Sequence, residues 1–138
     1  DVCNKNGAEF SVSPMENDLK NKIADFSKSN DLDVVIDFVS SKSSLELGCS
    51  ILGKGGRLVT LGGSGEQFLA NSADMLVKEL ELIGSRYCTK QELKESLDLY
   101  ARGLIEPLVS VKTDFDGAES LHDKIEKGEI TGRAGILI

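Results

Sequence analysis

Groups that could do chemistry are few in this chain, and most of them stand alone. The single histidine, His122, is of a residue type that could act as a general base. It lies between Leu121 and Asp123 on an amphipathic stretch, which points it to solvent. Cys3, Cys49 and Cys88 are odd in number, widely separated and without a CxxC pair, so neither a disulfide framework nor a zinc knuckle is indicated. Cys49 falls on an apolar helical stripe and reads as core, and Cys88 as filler at a strand end. Asp37 interrupts the apolar run VVIDFV, where a carboxylate bonded to backbone donors is expected before a catalyst. Arg86 and Arg133 read, in isolation, as solvated charges. The more suggestive feature is a pair of small-residue segments, Val39-Ser40-Ser41 and Leu61-Gly62-Gly63-Ser64, which would let a flat or phosphorylated ligand approach the backbone.

The elements that must carry those segments follow from the pattern of the chain. Leu32 to Val39 is almost continuously apolar, as expected of a parallel strand covered on both faces. Ser40 or Ser41 can cap a helix with Leu45, Cys49 and Leu52 inward, stopped by Gly53-Lys54-Gly55-Gly56, after which Arg57 to Leu61 forms the next strand. Strand, helix and strand make one parallel crossover unit. In such sheets ligands bind outside the carboxyl ends of the strands, where both small segments fall.

On either side the pattern continues. Asp1 to Ala8 reads as the end of a helix closed by Gly7, and Glu9 to Ser13 alternates as a short strand. Leu19, Ile23 and Phe26 mark one face of a helix begun at Glu16 or Asn17. Gly62 to Asn71 has the composition of a mobile loop, Ala73 to Lys78 of a short helix, and Glu79 to Tyr87 of a strand interrupted by Gly84. Thr89-Lys90-Gln91-Glu92 has the capping-box form and starts a helix with Leu93, Leu97 and Tyr100 inward. Pro107 breaks LIEPLVSVKTDF. Asp114 or Asp116 then begins a helix with Ala118, Leu121 and Ile125 on one face, and Arg133 to Ile138 is a last strand. The fold class is α/β.

Composition narrows the partners. Sixteen Lys and Arg against 23 Asp and Glu leave a formal charge of -7, which disfavours nucleic acid or an anionic membrane, because phosphate binding needs a basic footprint. A chain of 138 residues, 40% hydrophobic and 28% charged, suits about one soluble globular domain. No apolar run reaches the roughly 18 residues of a membrane span, and the polar start is unlike a signal peptide, so a cytoplasmic protein is expected.

In order along the chain, Gly7-Ala8, Glu9 to Pro14, Asp33-Val34-Val35-Ile36-Asp37, Lys54 to Val59, Glu79 to Ser85, Ala101 to Pro107 and Lys127 to Ile138 resemble the latter half of medium-chain alcohol dehydrogenases, the zinc-type dehydrogenase and quinone reductase superfamily. The resemblance runs from about Gly7 to Ile138. Single pieces such as KGGRLV are unspecific, whereas the pieces in this order and spacing are not.

The resemblance implies a partial Rossmann-like parallel sheet, the latter strands of a coenzyme domain over residues 1–103, followed by a C-terminal strand-helix-strand tail over 104–138 that returns to the catalytic domain. It implies NAD or NADP as coenzyme and a small alcohol or carbonyl as substrate. The family's GxGxxG turn, its ribose-reading residue and its zinc ligands would all lie upstream, so this chain would be a fragment, inactive by itself. Phe38, Val39 and Ser40 match the segment along the adenosine and its ribose. Leu61, Gly62 and Gly63 match the segment lining the nicotinamide, and Gly84, Ser85, Arg86 and Tyr87 one that faces the carboxamide through its main chain. Arg133 matches a basic residue reaching the pyrophosphate, a task suited to the guanidinium fork. The strand ending near Tyr87 would pair with a twofold mate in a homo-oligomer, a dimer or tetramer. Two other functions fit the same residues: a zinc-free quinone or enoyl reductase of the same superfamily, and a non-catalytic α/β module for binding or assembly.

Overall fold

The computed structural model describes residues 2–28 and 32–138. Its backbone divides into two compact units, Asp1–Tyr87 and Cys88–Ile138. The first holds α1 (Val2–Lys5), α2 (Leu19–Phe26), β1 (Leu32–Asp37), α3 (Lys42–Ile51), β2 (Leu52–Thr60), α4 (Ser72–Lys78) and β3 (Glu81–Gly84). Its three strands are parallel in the order β1-β2-β3, with Val35 opposite Leu58 and Leu58 opposite Leu82. Parallel neighbours need a crossover, and α3 and α4 supply the two. The α/β class expected from the sequence is therefore the observed one.

The core sits between this sheet and α3. Leu45, Leu52 and Leu58 are buried, with Val35, Cys49, Phe68 and Leu80 packed against them. Burying such a leucine fully contributes about 1.5–3 kcal/mol. Ser41 caps α3, its hydroxyl accepting from the Ser44 N–H at 3.2 Å. The glycines expected to stop this helix lie inside β2, where the register shifts: Leu32 pairs with Leu52, but Val34 already pairs with Arg57.

The structure departs from the sequence pattern at three places. β1 ends at Asp37, and Phe38 and Val39 form a bend. β1 is also covered on one face only: Val34 and Ile36 stay 49% and 56% exposed, because the core contacts are made from the opposite face. Glu9 to Ser13 is not a strand, since it finds no ladder partner among the described residues, and Phe10 instead stacks on Phe26 with ring centroids 4.7 Å apart.

The second unit holds α5 (Lys90–Ala101), β4 (Val109–Thr113), α6 (Ala118–Glu126) and β5 (Arg133–Ile136). The capping box at Thr89 is formed, with the Glu92 N–H donating to the Thr89 hydroxyl and the Thr89 N–H to the Glu92 carboxylate. Gly103 follows α5 in the left-handed region at φ +70°, as a helix C-terminus commonly requires. β4 and β5 pair in parallel across α6, which gives the strand-helix-strand tail. Leu93, Leu97 and Tyr100, expected inward, are 51%, 58% and 56% exposed: the helical period is right, but no described element covers that face.

Candidate functional site at the carboxyl ends of the strands

The sheet of the first unit runs its strands so that β1, β2 and β3 all end at one edge. β2 runs into Leu61, Gly62 and Gly63, and β3 into Ser85, Arg86 and Tyr87. These residues, with Thr60 and Gly84, line one open cleft of about 480 Å³. The Ser85 N–H donates to the Thr60 carbonyl at 3.0 Å, which extends the β2–β3 pairing past the last strand residue and fixes the cleft's floor. Arg86 and Tyr87 make one wall: the guanidinium carbon stands 4.7 Å from the Tyr87 ring centroid. Tyr87 is 85% exposed and has φ +56°, a left-handed conformation that a non-glycine residue adopts at a cost of about 1–2 kcal/mol. Strain of this kind concentrates at ligand sites.

The third segment, after β1, is joined to this cleft through Gly62. A Cβ added there would stand 2.4 Å from the Val39 carbonyl carbon and oxygen and 2.8 Å from the Ser40 hydroxyl. Only glycine lets the loop after β2 lie against the turn after β1. Gly63 has no such neighbour within 4 Å. Phe38 and Val39 are 73% and 67% exposed beside this contact, whereas Ser40 is buried and its hydroxyl is taken up by Thr60.

Asp37 organises the turn. One carboxylate oxygen accepts from the Val39 and Ser40 N–H groups, both at 2.9 Å, and the other from the Ser44 hydroxyl at 2.7 Å. Burial by itself raises the Asp37 pKa, but the bonds from Ser40, Ser44 and Val39 outweigh it and hold the carboxyl below its ordinary value. The expectation of a carboxylate satisfied by backbone donors is met. The loop after β2 is tied rather than free: Ser64 donates to the Ser40 carbonyl, the Lys42 N–H to Glu66 at 2.8 Å, and the Leu69 N–H to Glu46 at 3.2 Å. At the N-terminus of α3 the Lys42 N–H is therefore taken by Glu66 and the Ser44 N–H by the Ser41 hydroxyl.

Sequence reasoning named Ser64 only as a small residue and missed Thr60 and Glu66, whose roles arise from contacts across the fold. Arg133 opens β5 in the second unit, its N–H bonded to the Leu108 carbonyl at 2.7 Å. His122 is exposed on α6, as expected. Cys49 is half-buried, and burial pushes its thiol pKa up, away from the nucleophilic thiolate. Among the described residues no three His, Cys, Asp or Glu side chains converge as a metal site needs. The described residues do not fit a zinc ion.

A parallel α/β unit with an open cleft beyond the carboxyl ends of its strands has the arrangement in which open α/β sheets bind ligands. A family model described as zinc-binding dehydrogenase matches residues 1–102, and the chain belongs to that family. It is 27% identical over 129 residues to an NAD-dependent alcohol dehydrogenase of Sulfolobus acidocaldarius, covering 92% of this chain and 36% of that protein. It is 25% identical over 132 residues to an alcohol dehydrogenase of Geobacillus stearothermophilus, covering 96% of this chain and 38% of that one. The solved alcohol dehydrogenase of Aeropyrum pernix superposes with a TM-score of 0.84 at 26% identity, over 96% of this chain and 38% of that chain. The chain thus spans little more than a third of the length of these relatives. The partial Rossmann-like sheet is the shared fold.

Proposed function

We propose that this chain is the nicotinamide-side part of the coenzyme domain of an NAD(P)-dependent alcohol dehydrogenase, acting between an alcohol and an aldehyde or ketone. The observation that carries this is the cleft joining Leu61, Gly62 and Gly63 to Ser85, Arg86 and Tyr87. The bound coenzyme supplies the hydride acceptor or donor. The chain's own residues bind and orient it: Gly62 and Gly63 admit a flat ring close to the backbone, Leu61 offers an apolar contact, and Arg86 brings positive charge. Phe38, Val39 and Ser40 border the adenosine side, and Arg133 serves the pyrophosphate. Residues 1–103 belong to the coenzyme domain and 104–138 to a tail returning to the catalytic domain. The name of the Sulfolobus relative favours NAD. Any catalytic zinc is held by residues outside those described, so this chain by itself binds coenzyme without transferring hydride. The exposed edge strand β3 favours pairing with a twofold mate, and the absence of a membrane-length apolar helix among the described residues is compatible with a cytoplasmic enzyme.

The test is coenzyme reduction by the whole protein with a panel of primary and secondary alcohols, before and after chelation. Activity that disappears with chelator and returns with zinc supports the alcohol dehydrogenase reading. Chelator-resistant, NADPH-driven reduction of a quinone or enoyl substrate would instead establish the zinc-free alternative, and failure to bind either coenzyme would remove both.

A further inference from the structure

Asp37 is bonded to more of the cleft's surroundings than any ligand contact requires. Its carboxylate takes the Val39 and Ser40 N–H groups and the Ser44 hydroxyl, while its carbonyl accepts from the Leu61 N–H at 2.8 Å and the Gly62 N–H at 3.4 Å. Ser40 is held at φ +56° by the carboxylate; its hydroxyl bonds Thr60 and its carbonyl receives Ser64. One residue therefore grips the turn after β1 with its side chain and the loop after β2 with its backbone, and Ser40 links the two a second time. Asp37 is only 7% exposed and does not line the cleft.

We propose that Asp37 is a positioning residue, whose buried carboxylate sets the left-handed turn at Ser40 and through it fixes the glycine loop Leu61–Ser64 in the place the coenzyme ring needs. The role rests on the coenzyme reading for its purpose, but its mechanical part stands alone. Without the carboxylate the Ser40 N–H loses its acceptor, only the bonds of its hydroxyl and carbonyl remain to hold the left-handed turn, and its relaxation moves the backbone against which Gly62 is packed. Asparagine keeps one oxygen for the two N–H groups, and its amide can donate to the Ser44 hydroxyl. It should preserve the turn where alanine cannot.

The experiment compares wild type, Asp37→Asn and Asp37→Ala in the full chain, reading backbone amide shifts without ligand and NADH affinity by nicotinamide fluorescence. Asp37→Ala is expected to displace the amides of Leu61, Gly62 and Ser64 along with those of Val39 and Ser40, and to weaken NADH about ten-fold or more. Asp37→Asn should stay within about three-fold of wild type. Should the alanine variant fail to fold, Ser44→Ala removes one donor to the carboxylate and is expected to move the same loop amides by less. Loop amides unmoved in Asp37→Ala, or unmoved in Ser44→Ala where the former does not fold, overturn the proposal. So does an Asp37→Asn variant that displaces them as far as alanine does. Wild type that binds no NADH sinks the coenzyme reading, and the amide shifts still decide the positioning role.

Discussion

Substituting Gly62 by alanine separates a packing requirement from a mere glycine-rich composition. The new Cβ would sit 2.4 Å from the Val39 carbonyl carbon and oxygen. Ordinary contact between non-bonded carbons is about 3.5–4.0 Å, so the loop or the turn must move by roughly an ångström. The atoms met are backbone, held by the Asp37 bonds, and cannot rotate away as a side-chain tip would. Overpacking of this kind costs about 1–3 kcal/mol. Gly63→Ala is the internal control: nothing lies within 4 Å of its Cβ, and its backbone is outside the left-handed region, so a change within about 0.5 kcal/mol is expected. Urea unfolding of both variants reads the stability difference, and NADH titration reads whether the cleft moved with it. Equal stabilities for the two variants, or a Gly63 substitution as costly as that at Gly62, would show that the loop does not depend on close approach at Gly62.

Other consequences are simpler to check. Leu58→Ala, at a position 2% exposed between sheet and α3, should cost about 2–5 kcal/mol in urea unfolding. A thiol reagent should label exposed Cys3 and Cys88 quickly and half-buried Cys49, whose pKa burial raises, slowly, as mass spectrometry of timed samples would show. The Asp37 carboxyl is lowered in the folded state, so its contribution is complete above the unfolded aspartate value of about 3.9 and is lost as pH falls through the lower folded value. The stability gap between wild type and Asp37→Asn should therefore narrow only in strong acid; a gap constant with pH would contradict this.

Local signals in the sequence translated directly into structure. The Thr89 capping box and the Ser41 cap need only residues three positions away, and both formed. The crossover unit was legible because an apolar run, a helical stripe and a glycine turn follow one another within one stretch of chain. What failed depended on partners. Glu9 to Ser13 alternates like a strand, but a strand exists only when something pairs with it. Leu93, Leu97 and Tyr100 have the helical period, yet burial needs a covering surface. At the site, the glycines and the anomalous Asp37 were visible as residue types, whereas the bonds of Thr60 and Ser64 to Ser40 span 20 and 24 residues and no local pattern announces them.

A cleft beyond β2 and β3 that holds the nicotinamide end of a coenzyme must respond to NADH at its lining residues. Amide shift mapping of the full chain during NADH titration tests it most directly. Saturable shifts are expected at Leu61, Gly62, Gly63, Ser85, Arg86 and Tyr87, with α2 unmoved. Shifts confined to other elements, or no shifts at saturating NADH, would contradict it.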